Sequence, residues 1–134
     1  MKFTLSKQVE NAINNNKPVL ALESTIISSG MPFPQNIQFQ AKAEKICLDL
    51  GVIPATTAII KGKIHVGLKE KELMFIATDS SVKKISKREI GICLEKKQSG
   101  ATTVSSTSHI AFNAGIKVFS TGGIGGVHRG YNSS

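Results

Sequence analysis

Apolar and polar residues follow helical and strand spacings in turn along the chain. One set has the spacing of an amphipathic helix: Leu5, Val9, Ala12 and Ile13. The asparagines at 14–16 should end that helix. The apolar run over 18–22 then predicts a strand buried on both faces, as in a parallel sheet covered by helices.

The later segments continue this alternation. Asn36 is predicted to cap a helix that ends at Gly51, and Gly62 lies between two strand-like runs that predict a hairpin. Further helices are predicted over 69–77, from Ser86 through Leu94 and over 103–114, and a last strand over 116–119. The pattern indicates an α/β fold, with a parallel or mixed sheet flanked by helices, in which residues 1–134 belong to a single domain.

Composition narrows the class of protein. Seventeen Lys and Arg against nine Asp and Glu give a net charge of +8, but the lysines are scattered and lack the aromatic platforms of single-strand binders, so nucleic-acid binding is the weakest hypothesis. No secretory leader or run of membrane-spanning length is present in the sequence given, and we expect a cytoplasmic protein with no membrane partner. Cys47 and Cys93 are expected to be buried and reduced.

Glu23 is the first candidate for chemistry. It directly follows the strand predicted over 18–22 and precedes two hydroxyl residues, and ligands of α/β sheets gather at the carboxyl ends of strands. A partly buried carboxylate there can act as a proton donor. A structural role, as a cap or in a salt bridge, is equally open.

The second candidate is a glycine-rich loop after the last strand, Thr121–Gly130, which also contains His128 and Arg129. Its backbone N–H groups could surround a phosphate or carboxylate, and His128 could hydrogen-bond a heterocycle or move a proton. Neither the P-loop motif nor Gly-x-Gly-x-x-Gly in its required context matches, so the loop gives no support for ATP or NAD binding.

Two further segments suggest an anion site. Lys84 precedes the helix that Ser86 begins, and Thr103 and Val104 stand at the start of the next one. Helix N-termini attract phosphate. The alternatives remain open that Lys84 is a solvated surface charge and that Thr103 is an ordinary N-cap.

These segments together resemble one enzyme family. The motifs are residues 21–27 (ALESTII), 30–36 (GMPFPQN), 54–56 (PAT), 100–104 (GATTV) and 121–130 (TGGIGGVHRG). They closely resemble pseudouridine-5′-phosphate glycosidases, from about Pro18 to Gly130. The resemblance implies reversible cleavage of the C–C glycosidic bond of pseudouridine 5′-phosphate to uracil and ribose 5-phosphate.

The resemblance also implies roles for individual residues. Glu23 would be the acid/base on uracil, Lys84 and the backbone of Thr103 and Val104 would hold the ribose phosphate, and His128 would lie near the base. The family is understood to bind the opened ribose to a lysine as an imine. It is expected to use manganese and to form homo-oligomers.

The chain departs from the family pattern in three ways. The imine-forming lysine and the aspartate that positions manganese lie beyond the matched region, so this chain has no metal ligand to assign. The ending over 131–134 differs from the family's continuation, and Ser29 stands where histidine is common. We therefore expect an N-terminal portion with an incomplete fold, an unpaired sheet edge after Phe119 and no activity by itself. The alternative function is a non-catalytic phosphate-binding or interaction module.

Overall fold

The computed structural model describes residues 1–126 and 129–130. The helices are α1 (Lys7–Asn14), α2 (Gln35–Asp49), α3 (Glu70–Thr78), α4 (Ile90–Glu95) and α5 (Val104–Asn113). The strands are β1 (Phe3–Leu5), β2 (Val19–Leu22), β3 (Ile53–Ile60), β4 (Lys63–Val66), β5 (Lys83–Ile85), β6 (Gly100–Thr102) and β7 (Val118–Ser120). A π-helical turn, Ile26–Gly30, precedes α2, and a 3₁₀ turn, Lys87–Glu89, precedes α4.

Strand β3 is the centre of a mixed sheet that has seven strands among the described residues. On one edge it forms the predicted hairpin with β4, and Gly62 takes the positive φ that the turn requires. On the other edge its first half pairs with β2 in parallel, and its second half pairs with β6 in antiparallel orientation. Strand β1 extends the sheet beyond β4, β7 extends it beyond β2, and β5 pairs with β6. As a result, the carboxyl ends of β2 and β6 point toward each other.

The core has two parts, and helices cover both faces of the sheet. The larger cluster joins α1, α4 and α5 to the sheet through buried residues that include Val9, Ile59, Ile64, Ile90 and Ile110. The smaller cluster joins α3 and the π-helical turn to β3 and β6 through Ile27, Ala58, Leu73, Ile76 and Ala101. The α/β class with a mixed sheet flanked by helices is confirmed.

The first predicted helix begins later than its apolar spacing suggested. Leu5 is the end of β1 and lies opposite Val66 in a parallel ladder. Ser6 then begins α1, because its Oγ accepts a hydrogen bond from the Val9 N–H at 3.2 Å. The side chain of Leu5 packs against the same core as the helix, which explains why Leu5 fitted the apolar spacing of the helix although it belongs to a strand.

The prediction that Asn36 caps α2 was wrong. Asn36 lies inside the first turn, and its fully buried amide donates to the carbonyl oxygens of Ile27 and Ala77 at 2.8 and 3.1 Å. These bonds join α2 to the π-helical turn and to α3. The helix ends before Gly51 as expected, at the cap residue Leu50.

Both cysteines are buried and free, as predicted. Burial raises the pKa of the Cys47 and Cys93 thiols. Both should therefore react slowly. Among the described residues, no helix is long and apolar enough to cross a membrane.

Candidate functional site

The segment that carries Glu23 is held against the end of β6. The Ser24 N–H donates to the Thr102 carbonyl oxygen at 3.2 Å, and the Thr102 N–H donates to the Ser24 Oγ at 2.8 Å. The Thr25 Oγ1 donates to the same Thr102 carbonyl at 2.6 Å. Glu23 and Thr103 are each next in sequence to a member of this reciprocal pair. The fold therefore brings together two sequence candidates separated by eighty positions.

Four fully buried hydroxyl side chains extend this junction: Ser24, Thr57, Thr102 and Thr107. We call them the hydroxyl cluster. The Thr102 Oγ1 donates to the Thr57 carbonyl oxygen at 2.8 Å and lies 2.8 Å from the Thr57 Oγ1 and 3.2 Å from the Ser24 Oγ. The Thr57 Oγ1 in turn reaches the Thr107 Oγ1 at 3.3 Å. Because buried polar groups are costly unless bonded, these contacts specify one arrangement of β2, β3, β6 and α5.

Thr103 is the residue at which α5 begins. Its N–H donates to the Ser106 Oγ at 2.8 Å, and the Ser106 Oγ donates to the Ile85 carbonyl oxygen at 2.7 Å. The first N–H groups of a helix have no partner within the helix, and the helix dipole favours an anion beside them. Val104 is the first helical residue, and the phosphate contact expected of Thr103 and Val104 stays a prediction.

Lys84 lies on β5, next to the start of α5. Its strand runs parallel to β6, with Lys84 opposite Ala101, and the Lys87 N–H donates to the Ser105 Oγ at 3.0 Å. Lys84 is exposed, and within residues 1–126 and 129–130 its ammonium makes no hydrogen bond or ion pair. It precedes a 3₁₀ turn and the six-residue α4, rather than the single helix expected from Ser86. The long helix beside it is α5.

Glu23 itself connects the junction to the end of β7. The Thr121 Oγ1 donates to one carboxylate oxygen, Oε1, at 3.2 Å. The other oxygen, Oε2, makes no hydrogen bond within the described part of the chain. A cavity of about 200 Å³ opens beside the carboxylate, and its lining includes Phe39, Gln40 and Gly122. Since small-molecule pockets usually measure roughly 300–1,000 Å³, this cavity suits a single ring better than a nucleotide.

Residues 122–126 of the glycine loop are exposed. Gly125 and Gly126 take φ values of +70° and +88°, which favour glycine, and the Gly123 N–H donates to the Thr121 Oγ1 at 3.4 Å. His128 lies outside the described residues. Arg129 is exposed. The anion-binding role of this loop stays a prediction.

Sequence reasoning missed the hydroxyl cluster and a second polar group on α2. Gln40 is almost fully buried, and its Nε2 donates to the Thr56 Oγ1 at 2.7 Å and to Glu44 at 3.2 Å. The available signal was a pair of threonines inside the otherwise apolar β3, Thr56 and Thr57. A hydroxyl at a buried strand position needs a partner, and such a pair therefore predicts polar groups on the neighbouring elements.

A separate groove lies near the end of β4, away from Glu23. It has a volume of about 640 Å³, and His65 and Glu72 line it, with the His65 Nδ1 3.2 Å from the Glu72 carboxylate. Burial lowers the pKa of His65, an effect that Glu72 opposes and that Lys63 and Lys69 reinforce. In the residues that the structure describes, no three His, Cys, Asp or Glu side chains are grouped so that they could hold a metal ion.

Comparison with known proteins gives a consistent result. Residues 8–134 match the family model described as indigoidine synthase A like protein. The chain is 55% identical over 123 residues to a pseudouridine-5′-phosphate glycosidase of Alkaliphilus metalliredigens, and 54% identical over 131 residues to one of Clostridium botulinum. These alignments cover 92% and 97% of this chain but only 40% and 43% of the relatives. The chain therefore spans about two fifths of the length of the curated relatives that it matches.

Solved structures with this fold agree. The prealnumycin C-glycosynthase AlnA, in complex with ribulose 5-phosphate, superposes with a TM-score of 0.84 at 38% identity. An indigoidine synthase A-like protein of Thermotoga maritima gives 0.83 at 34%. The superpositions include 98% and 96% of this chain and 42% of each of the longer chains.

Proposed function

Because the chain belongs to the indigoidine synthase A like family, we propose that it forms part of the active site of a pseudouridine-5′-phosphate glycosidase. One observation carries this proposal most directly. The reciprocal hydrogen bonds between Ser24 and Thr102 hold a carboxylate, Glu23, close to the start of α5. A proton donor and an anion site are the two groups that a nucleotide glycosidase needs at one place.

Glu23 would serve as the acid/base on the uracil ring. Cleavage breaks the bond between uracil C5 and ribose C1, the ring carbon takes up a proton, and an oxygen from water ends on the sugar. Thr121 orients Glu23 through Oε1 and leaves Oε2 for the substrate. The cavity beside Glu23, with its exposed Phe39 ring, could accept a pyrimidine against an aromatic face.

The sugar phosphate would lie at the start of α5. The Val104 N–H and the positive end of the helix dipole would face the phosphate, since the Thr103 N–H already donates to the Ser106 Oγ. Lys84 adds a free ammonium from the neighbouring strand. AlnA, which has this fold, was solved with a sugar phosphate, ribulose 5-phosphate. That ligand supports a sugar-phosphate substrate for the present chain.

Manganese and the imine-forming lysine belong to the expectation for longer family members. The described residues hold no group of three or more side chains that could ligate a metal, so they do not fit a manganese site. His128 remains proposed as a neighbour of the base. The test of the function must therefore supply the rest of a family member.

A chimera provides this test. The chain would replace the matched segment of the Alkaliphilus metalliredigens relative, and uracil release from pseudouridine 5′-phosphate would be followed with manganese present. We expect turnover that falls at least 100-fold in Glu23→Gln, which keeps the acceptor for Thr121 but cannot donate a carboxylic proton. Glu10→Gln, an exposed change on α1, should leave the rate unchanged. Equal rates in the two variants would contradict the assigned role.

The second candidate is a non-catalytic phosphate-binding module, favoured by the start of α5 and the free Lys84 ammonium. Binding of ribose 5-phosphate to the chain itself would be followed by amide chemical shifts. Shifts at residues 103–105 that Lys84→Met abolishes, together with an inactive chimera of an active parent enzyme, would favour this module over the glycosidase.

A further inference from the structure

Among the residues that the structure describes, strand β7 has a neighbouring strand on one side only. It pairs in parallel with β2, from Leu20 opposite Val118 to Leu22 opposite Ser120. No other strand in the described part of the chain pairs with β7. The outer edge of β7 therefore presents backbone N–H and C=O groups that can accept another strand.

Apolar surface accompanies this edge. Phe112, on α5, is 82% exposed, and Val118, on β7, is 58% exposed. A cleft of about 490 Å³ lies between α5 and β7, and one of about 360 Å³, which shares residues 115–118 with it, lies near Pro18 and Val19. We call Phe112, Val118 and the two clefts the β7 edge surface.

Strand β5, a second outer strand, is protected differently. In the described part of the chain, strand β5 pairs only with β6, and it exposes Lys83 and Lys84. Charged side chains of this kind discourage the addition of a strand. Strand β7 carries Val, Phe and Ser, with Lys117 as the charged residue next to it. Of these two edges, β7 has the less charged side chains, which are typical of a strand that pairs on both sides.

The length of the relatives indicates what covers it. The present chain matches 42% of each superposed structure, so each of them contains a further segment that is longer than the matched part. Parallel sheets bury both faces under helices and continue by a crossover to a neighbouring strand. Strands β2, β3 and β7 are mutually parallel, and a further parallel strand beside β7 would extend this arrangement.

We propose that the β7 edge surface binds the part of the family fold that the match does not reach, as a strand parallel to β7 and a helix packed on Phe112. That polypeptide can belong to the same chain or to a second one. The proposal rests on family membership and not on the proposed activity.

Charge argues against a second copy of this chain as the occupant. Lys17 and Lys117 line the cleft on one side of β7, and the whole chain carries a net charge of +8. Two copies joined at this edge would bring like charges together. A partner with apolar strand and helix residues and acidic residues beside Lys17 and Lys117 fits the surface better.

Mixing the chain with the separately purified remainder of the Alkaliphilus metalliredigens relative tests the proposal. We expect a 1:1 complex by light scattering, and titration calorimetry should show affinity at least tenfold weaker for Phe112→Lys and for Val118→Lys. Matched controls are Leu50→Lys and Ile92→Lys, which change side chains 75% and 53% exposed on other surfaces. They should bind as the unchanged chain does. Equal losses in controls and edge variants would overturn the proposal, as would a homodimer that Val118→Lys disrupts.

A second measurement covers the case in which the remainder does not fold alone. Val118→Cys and Leu50→Cys would each be labelled with a thiol reagent, in the chain itself and in the full-length chimera. The native thiols are buried and should contribute little. We expect the Val118→Cys thiol to react at least tenfold more slowly in the chimera and the Leu50→Cys thiol to react equally in both. Equal labelling of Val118→Cys would overturn the proposal, whether or not the chimera is active.

Discussion

The sheet has a closed centre and an open edge, and Glu23 lies between them. At the centre, β3 has partners on both sides, and the hydroxyl cluster joins β2, β6 and α5 through fully buried bonds. At the edge, β7 has one partner strand within residues 1–126 and 129–130, and exposed glycine backbone follows it. Glu23 is adjacent to Ser24 of the cluster and bonds to Thr121 beyond β7. Glu23 is therefore joined to the closed centre through Ser24 and to the open edge through Thr121, and the polypeptide proposed to cover β7 would complete the site.

Two glycines, one in each region, should give the largest contrast. A Cβ at Gly100, in β6, would overlap the Ile85 Cγ1 and lie 3.1 Å from its Cβ, whereas a Cβ at Gly122 has no neighbour within 4 Å. Ile85 is buried and has little room to move. Gly100→Ala should destabilise the chain by about 3 kcal/mol, and Gly122→Ala should change stability by less than about 0.5 kcal/mol. Urea unfolding would measure both, and similar values would remove the distinction between the regions.

Removing one hydroxyl from the cluster should have the next largest effect. Thr102→Val keeps the side-chain shape but leaves the Thr57 carbonyl oxygen and the Ser24 hydroxyl short of a partner. We expect a loss of about 2 kcal/mol in the free energy of unfolding. The control is Thr78→Val at the exposed end of α3, where the hydroxyl bonds only to its own helix. If both variants lost the same stability, the cluster would have no special role.

The smallest effect concerns pH and the groove near β4. Because burial lowers the pKa of His65 in the folded state, the unfolded chain binds a proton more readily, and stability should fall as pH drops through about 6.5 toward the folded pKa. His65→Gln should flatten the difference in unfolding free energy between pH 7.5 and pH 5.5. An unchanged pH dependence in the variant would assign the effect to other groups.

The sequence predicted the regular elements better than their polar connections. Gly51, Gly62 and Gly115 correctly marked the ends of α2, the hairpin and α5, because each takes the positive φ that such positions favour. Strands β5 and β6 were missed, since three residues are too few to show a period of two. Strand β6 pairs with β3 and with β5, and no local pattern of residues encodes these long-range contacts.

The candidate site was predictable in its parts but not in its assembly. Position beside predicted helices and strands, together with the family resemblance, identified three candidates: Glu23, Lys84 and Thr103. What holds Glu23 near Thr103 is a set of contacts between Ser24 and Thr102, 78 positions apart. Buried hydroxyl partners of that kind follow from the three-dimensional fold. The threonine pair in β3 indicated only that buried hydrogen-bond partners were needed, and not which residues supply them.

Amide hydrogen exchange tests the central comparison most directly. In the chain itself, the amides of Ser24, Thr102 and Thr103 should exchange slowly, since each donates a bond within the junction, while those of 122–126 should exchange at nearly unprotected rates. In the chimera, the amides of 118–126 should gain protection and the junction should change little. Equal protection of both regions in the chain itself would contradict the difference between a closed centre and an open edge. No added protection at β7 in the chimera would contradict the proposal that another strand pairs with β7.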